Sequence, residues 1–314
     1  MKQPDNNKPL LLVITGPTAT GKTALAARVA NQITGEIISA DSRQVYRGMD
    51  LATGKDFSDY EVDGSMIPYH LVDIADAGHE YNVFEFQRDF IRIFNDITER
   101  GKTPILCGGT GMYIESVLKG YQLLDVPKNS TLRKELGKLD DETLTHKLQS
   151  YKTPHNTTDT RDKNRLIRAI EIQEFYREHE KKGASFPDFD AKVFGVYFER
   201  KMIRERITTR LKDRLEAGMI DEVKELLNKG LTADQLKFYG LEYRYLTQYV
   251  TGEISKDEMF RLLNTAIHQF AKRQMTWFRR MEKQGIQIDW IDGELPTGEK
   301  VQYILSKLGK SRKV

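Results

Sequence analysis

The chain has 314 residues, 30% of them charged, with a formal net charge of +3. That length suggests about two domains, and so near a balance excludes a wholesale polycation, leaving any nucleic-acid contact to local clusters. Cys107 is the single cysteine, which excludes a disulfide frame and a paired-cysteine zinc site. The opening MKQPDNNKP is polar and no apolar run reaches the length of a membrane span, so a cytoplasmic protein with no membrane partner is expected.

The first element is an apolar run, Leu10-Leu11-Leu12-Val13-Ile14, which reads as a buried strand. It leads into GPTATGKT at 16–23, and Gly16, Gly21, Lys22 and Thr23 fill the G-x-x-x-x-G-K-[ST] phosphate-loop pattern. The Ala-rich segment from Ala24 to Ile33 leads out as a helix. Backbone N–H groups from Gly16, Pro17, Thr18, Ala19, Thr20 and Gly21 onward, with the positive helix end, would wrap a diphosphate; proline lends only its carbonyl and shape. Lys22 adds a point charge and Thr23 can hold Mg²⁺.

A second strand is expected over Glu36 to Ser39, ending at Asp41, and another over Ile67 to Ile74. A helix follows from Val83 to Arg100, with Asn82 and Glu85 at capping-box spacing and Gly101 as its stop. Pro104 to Cys107 is a buried strand leading into Gly108-Gly109-Thr110-Gly111 and a helix towards Leu118. Alternating strands and helices predict a parallel sheet flanked by helices, an α/β core of the phosphate-loop NTPase type. Ligands of such sheets sit at the carboxyl ends of the strands, where the loop, Asp41 and Thr110 all fall.

From 122 to 188 the strand pattern gives way to charged helical segments, read as a helical insertion between core segments 8–121 and 189–314. Val193 to Phe198 restores a strand. A helical tail follows, with Ile203, Ile207 and Leu211 on one seam, a long helix from 256 to 283, and a last strand over Ile286 to Ile291.

Asp41 could deprotonate a nucleophile beside a bound phosphate; a helix N-cap or a water-mediated contact with Mg²⁺ is equally open. Thr110 offers a hydroxyl at a flexible turn. Cys107 lies in an apolar strand and reads as packing. Arg206, Arg210 and Arg214 recur every four residues on one face, solvated or set against phosphate. The histidines have no metal-ligand spacing. In AKRQMTWFRRMEK, Lys272, Thr276, Arg279 and Lys283 share a helical face, with Trp277 and Phe278 between them. That face suits RNA, or simply water.

Together GPTATGKT, ISADSRQVYRGMDLATGK, IPYHLVDI, GGTGMY, NRLIRAIE, RERITTRL, GEISKDEM and AKRQMTWFRR resemble the tRNA dimethylallyltransferases, in order over residues 16 to about 280. The resemblance implies transfer of a dimethylallyl group from its diphosphate to the exocyclic amine of the adenosine 3′ to the anticodon, in tRNAs reading codons that begin with U. It implies catalytic roles for Asp41, Thr110 and Arg210, with Mg²⁺ as cofactor. It implies that Asp41, Ser42, Arg43 and Gln44 meet the target nucleotide. Arg133, Asn164, Arg165, Arg168, Tyr243, Arg244, Lys272, Arg273, Gln274, Trp277 and Arg279 would grip the anticodon stem–loop, with the protein a monomer. Two positions depart from the family pattern: Asn164 replaces a glutamine, and Glu242-Tyr243-Arg244 replaces G-Y-[KR]. Prenylation of free adenine nucleotides, a nucleotide-dependent kinase and an RNA-binding module with a vestigial loop are the alternatives. The helical insertion and KRQMTWFRR weigh against the first, the lack of a clear Walker-B strand against the second, and the intact Lys22, Thr23 and Asp41 against the third.

Overall fold

The computed structural model describes residues 8–151, 162–179 and 186–309. It divides the chain into two compact units, Met1–Gly120 with Pro187–Val314, and Tyr121–Phe186.

In the larger unit the chain runs β1 (Leu10–Thr15), α1 (Lys22–Ile33), β2 (Gly35–Ser39), a short hairpin of β3 (Glu61–Val62) and β4 (Ser65–Met66), then β5 (Tyr69–His70), α2 (Val83–Glu99), β6 (Thr103–Gly108) and α3 (Gly111–Leu118). The smaller unit holds α4 (Ser130–Leu136), α5 (Asp141–Gln149) and α6 (Lys163–Glu178). The larger unit resumes with β7 (Asp190–Tyr197), α7 (Arg200–Glu216), α8 (Met219–Asn228), α9 (Ala233–Phe238), α10 (Leu241–Val250), α11 (Lys256–Lys283), β8 (Asp289–Asp292) and α12 (Thr297–Lys307). Among the described residues, no helix is long and apolar enough to cross a membrane.

Six strands pair in parallel in the order β5-β2-β6-β1-β7-β8, so the expected parallel sheet forms. β1 is central: Val13 pairs with Leu106 on one side and Val193 on the other. A strand covered on both edges and both faces needs an unbroken apolar run, and Leu11 to Ile14 are fully buried. On one face α1 and α12 join the strands in a single core through Leu25, Val29, Ile33, Val301 and Ile304. α2, capped by the Asn82–Glu85 box that the spacing predicts, buries Phe86, Phe90, Phe94 and Ile97 and lies against β2 and β6. A second core ties the helical tail to the segment after β2: Val45, Tyr46 and Met49 pack with Ile207, Leu211, Val223, Leu246 and Leu263. The smaller unit closes around Leu136, Leu144, Leu148, Leu166, Ile167 and Ile170.

Two expectations shift. The strand expected over 67–74 shrinks to Tyr69–His70, because Leu71 (φ 62°) and Asp73 (φ 54°) turn left-handed. There the buried Lys55 ammonium pairs with Asp73, donating also to the Tyr46 carbonyl (2.5 Å) and to Asp50 (2.9 Å). The last strand sits at Asp289–Asp292 rather than 286–291. α12 was not foreseen, although Val301, Ile304, Leu305 and Leu308 recur at helical spacing and face the core; its buried Lys300 donates to the Gly293 carbonyl at 2.9 Å.

Glu36 on β2 is buried and accepts from Arg100 (2.5 and 2.8 Å) and Lys102 (2.6 Å), with His70 Nε2 2.8 Å away. The hydrogen bonds from Arg100 lead in holding its carboxyl well below the ordinary 4.5, against the opposing effect of burial. A carboxyl whose folded-state pKa is depressed stabilises above its unfolded pKa, and that stabilisation fades as pH falls below it. Glu36→Gln should therefore lower stability by about 1–3 kcal/mol at pH 7, where it weakens the charged hydrogen bonds that the half-exposed Arg100 and Lys102 make to this one buried carboxylate. The gap from wild type should narrow as pH falls from about 5 towards 3, read by urea unfolding at each pH.

Candidate active site

The site is built where β1, β2 and β6 end. After β1 the chain turns at Gly16 (φ 149°), where a Cβ would stand 2.5 Å from the Val196 carbonyl oxygen of β7. The loop is braced from within: Thr20 Oγ1 donates to the Pro17 carbonyl at 2.9 Å and Lys22 Nζ to the same oxygen at 3.3 Å. Ala19 is left-handed (φ 64°), a strained conformation for a residue with a Cβ, and Arg206 Nε holds its carbonyl at 2.9 Å. No side chain caps α1, which starts at Lys22, so its first-turn N–H groups remain for an anion. Burial lowers the Lys22 pKa against the pull of Asp41 and Asp59, and Arg210 pushes the same way. An arriving diphosphate would reverse that balance and favour the ammonium.

β2 and β6 come together because Gly108 has no side chain; a Cβ there would lie 2.3 Å from the Ala40 carbonyl oxygen. Ala40 N–H donates to the Cys107 carbonyl (2.7 Å) and Thr110 N–H to the Ala40 carbonyl (3.1 Å). Ser42 N–H then donates to Thr110 Oγ1 at 3.0 Å, and Arg43 N–H to Asp41 Oδ1 at 2.9 Å. Asp41 therefore caps a turn rather than a helix N-terminus, and its partly exposed carboxylate is near enough to pull on the Lys22 ammonium. Cys107 is buried, and burial pushes its thiol up to about 12; it is packing, as its apolar strand suggested.

The arginine stripe of α7 turns towards this site rather than to water. Arg206 clasps the loop, and Arg210 and Arg214 both reach Asp56, at 2.7 and 2.9 Å. Arg210 therefore arrives at the site already paired. Asp56 and its neighbour Asp59 escaped the sequence reading, since nothing in their spacing marks them. Burial, then repulsion from Asp56, raises the Asp59 pKa.

α11 carries Lys272, Thr276, Arg279 and Lys283 exposed, as the shared face predicts, with Arg273 also exposed, and buries Phe278. Trp277 lies against Gly111, whose missing Cβ would fall 2.3 Å from the indole. Arg280 stacks over Trp277 (4.0 Å to the ring) and pairs with buried Glu115 at 2.5 Å. Asn164, Arg165 and Arg244 are exposed. Arg43 donates to the Phe238 carbonyl at 3.3 Å. Burial raises the pKa of Glu242, one of the departures from the family pattern, with Arg214 and Arg43 opposing it.

Several residues that the resemblance sets against RNA have other partners here. Tyr243 is buried, and its hydroxyl donates to Glu222 at 2.6 Å; Glu222 also accepts the N–H groups of Asp50, Leu51 and Ala52. Arg133 (2.8 and 2.9 Å) and Arg168 (2.5 Å) converge on buried Glu171 inside the smaller unit. Burial opposes ionisation of Glu171, but these hydrogen bonds outweigh it and hold its pKa at about 2. The Gln44 amide donates to the Gly54 carbonyl (2.9 Å) and its oxygen faces Ser39 Oγ (3.3 Å). Gln274, 7% exposed, accepts the Thr18 N–H and donates to the Gly109 carbonyl, each at 2.9 Å. In each case a long polar side chain that looks free in sequence is drawn inward by a buried partner.

A six-stranded parallel sheet with a phosphate loop after β1 and a carboxylate after β2 defines a phosphate-loop α/β enzyme. A family model described as IPP transferase matches residues 44–281, and one described as isopentenyl transferase matches 9–69. A tRNA dimethylallyltransferase 2 of Bacteroides fragilis is 54% identical over 308 residues, 98% of this chain and 99% of that one. The crystal structure of full-length tRNA isopentenylpyrophosphate transferase from Bacillus halodurans is 30% identical with a TM-score of 0.71, covering 96% of each chain. A eukaryotic dimethylallyltransferase acting on tRNA shares the fold, with a TM-score of 0.74 at 21% identity over 98% of this chain and 81% of that one. The chain belongs to the tRNA dimethylallyltransferase family.

If Tyr243 is a strut of the core, Tyr243→Phe should cost about 1–2 kcal/mol of stability through the lost bond to Glu222. Its tRNA affinity should stay within about twofold of wild type, because only a buried contact is removed. Chemical unfolding and filter binding read the two effects separately.

Proposed function

We propose that this enzyme transfers the dimethylallyl group of dimethylallyl diphosphate to the exocyclic amine of the adenosine immediately 3′ of the anticodon, in tRNAs reading codons that begin with U. It acts as a monomer in the cytoplasm. The observation that carries this reading is the meeting of Asp41, Thr110 and the phosphate loop at adjoining strand ends, tied by the Ser42–Thr110 bond at 3.0 Å.

In the proposed reaction the allylic C–O bond breaks and diphosphate departs, while the adenine nitrogen forms a bond to the same carbon. One proton leaves the amine and passes to the Asp41 carboxylate. Lys22 and the α1 N–H groups neutralise the departing charge where it develops, which is where electrostatic stabilisation lowers a barrier most. Arg210, steered by Asp56, adds a guanidinium on the loop side. Thr110 holds the Ser42 backbone, and with it Asp41, against the acceptor. The base is stacked in the anticodon loop and must be extruded to reach Asp41.

The donor set suits a hard cation shared with substrate. Among the described residues, no group of three or more His, Cys, Asp or Glu side chains could hold a metal. Thr23, the second residue of α1, offers one hydroxyl. Mg²⁺ would then be held by Thr23, water and the diphosphate's own oxygens, the mixed coordination this ion favours. Bound there, it would supply positive charge to the leaving diphosphate.

Unmodified tRNA incubated with dimethylallyl diphosphate and Mg²⁺ should yield prenylated adenosine at the one position, mapped by digestion and mass spectrometry. Faster modification of AMP than of tRNA would point instead to a free-nucleotide acceptor. Asp41→Ala should slow turnover about a hundred- to ten-thousand-fold, the range for loss of a general base. Lys272→Ala and Arg279→Ala should each weaken tRNA binding and flatten its salt slope by about one. An unchanged slope would assign that face of α11 to solvent alone.

A further inference from the structure

We infer that Gln274 is a positioning residue for the diphosphate rather than a reader of RNA: its amide clamps the phosphate loop to the Gly109 turn. The inference rests on the loop being the diphosphate cradle, as proposed above.

Gln274 sits in the middle of α11, 7% exposed, between neighbours Arg273 and Lys272 that are exposed. Its Oε1 accepts the Thr18 N–H and its Nε2 donates to the Gly109 carbonyl, both at 2.9 Å. The two partners fix which amide atom is which. Thr18 offers only a donor here and Gly109 only an acceptor, so a flipped amide would lose both bonds.

Two consequences follow from chemistry. First, the Thr18 N–H is spent on Gln274, so the anion cradle begins further along, with the N–H groups from Ala19 to Thr23. Second, one side chain fixes the spacing between the loop that holds the diphosphate and the turn that carries Thr110. A Cβ on Gly109 would lie 2.5 Å from Gln274 Nε2, 3.3 Å from the Gly16 carbonyl and 3.6 Å from Lys22 Cε. The three segments are therefore in direct contact at this point. Removing the amide would leave the Thr18 N–H and Gly109 carbonyl without partners in a buried place, and each would seek a new one by moving its loop.

Two variants test this from opposite sides. Gln274→Met keeps length and volume but loses both hydrogen bonds. Gly109→Ala leaves Gln274 in place and pushes its amide away. Calorimetry of the full chain with inorganic pyrophosphate and Mg²⁺ should show each variant binding about tenfold more weakly, the size of a lost buried bond pair. Unmodified tRNA should bind each within about twofold of wild type by filter retention. The double variant should be no weaker than the weaker single, since both act on one clamp. In turnover, KM for dimethylallyl diphosphate should rise while KM for tRNA holds.

Loss of tRNA affinity with pyrophosphate binding intact would return Gln274 to the RNA surface and overturn the inference, as would strictly additive effects. Thermal unfolding of each variant reports folding; should Gln274→Met fail to fold, unchanged pyrophosphate affinity in Gly109→Ala overturns the inference by itself. Pyrophosphate binding needs no turnover. Wild type that makes no prenylated adenosine would thus sink the proposed reaction while this test still stands.

Discussion

Between the ends of β2 and β6 the backbones run so close that a Cβ at Gly108 would reach within 2.3 Å of the Ala40 carbonyl, and the rest of the site depends on that approach. It is held from below by parallel pairing, with Ser39 opposite Cys107 in register, and by the Ala40–Cys107 bond. Above it, the Thr110 hydroxyl takes the Ser42 N–H. A side chain at 108 would part the strands and carry Asp41 away from Thr110. Catalytic geometry of this kind is fixed at backbone level, where errors of an ångström cost most.

The second constraint is electrostatic. Lys22, Arg206, Arg210 and Arg214 crowd one end of the sheet, and left alone they would repel one another and weaken the fold. The structure offsets them unevenly: Asp56 takes Arg210 and Arg214, and Arg206 is spent on a carbonyl. Among the described residues Lys22 has no carboxylate in hydrogen-bonding contact, and it donates to the Pro17 carbonyl at 3.3 Å. Its lowered pKa records that exposure to like charge and burial. Such an arrangement would let the proposed diphosphate find its counter-charges already placed.

Much of the fold was legible because its signals are local. The apolar run at Leu10 to Ile14, the Asn82–Glu85 box and the period of α11 each announce one element without reference to any other. The strand over 67–74 misled for the opposite reason. Its pattern is strand-like, but the left-handed Leu71 and Asp73 end the strand after His70, where Asp73 pairs with Lys55 from 18 positions away. The candidate site shows the same division. Gly16 to Thr23, Asp41 and Thr110 lie where strand ends put them, whereas Tyr243, Arg133, Arg168 and Gln274 turned inward to Glu222, Glu171 and the loop.

The sequence by itself determined the chemistry on offer: a phosphate loop after the first strand, a carboxylate after the second, a hydroxyl in a glycine turn, and a cationic face on a long helix. Each is written in contiguous residues, so backbone preference and side-chain period suffice to read it. Only the tertiary structure decided which long polar side chains remain available to a ligand. Gln274 meets Thr18 across 256 positions of chain and Arg210 meets Asp56 across 154. A flexible arginine or glutamine takes whichever buried donor or acceptor the fold brings within reach, because leaving that group unpaired costs more than giving up water.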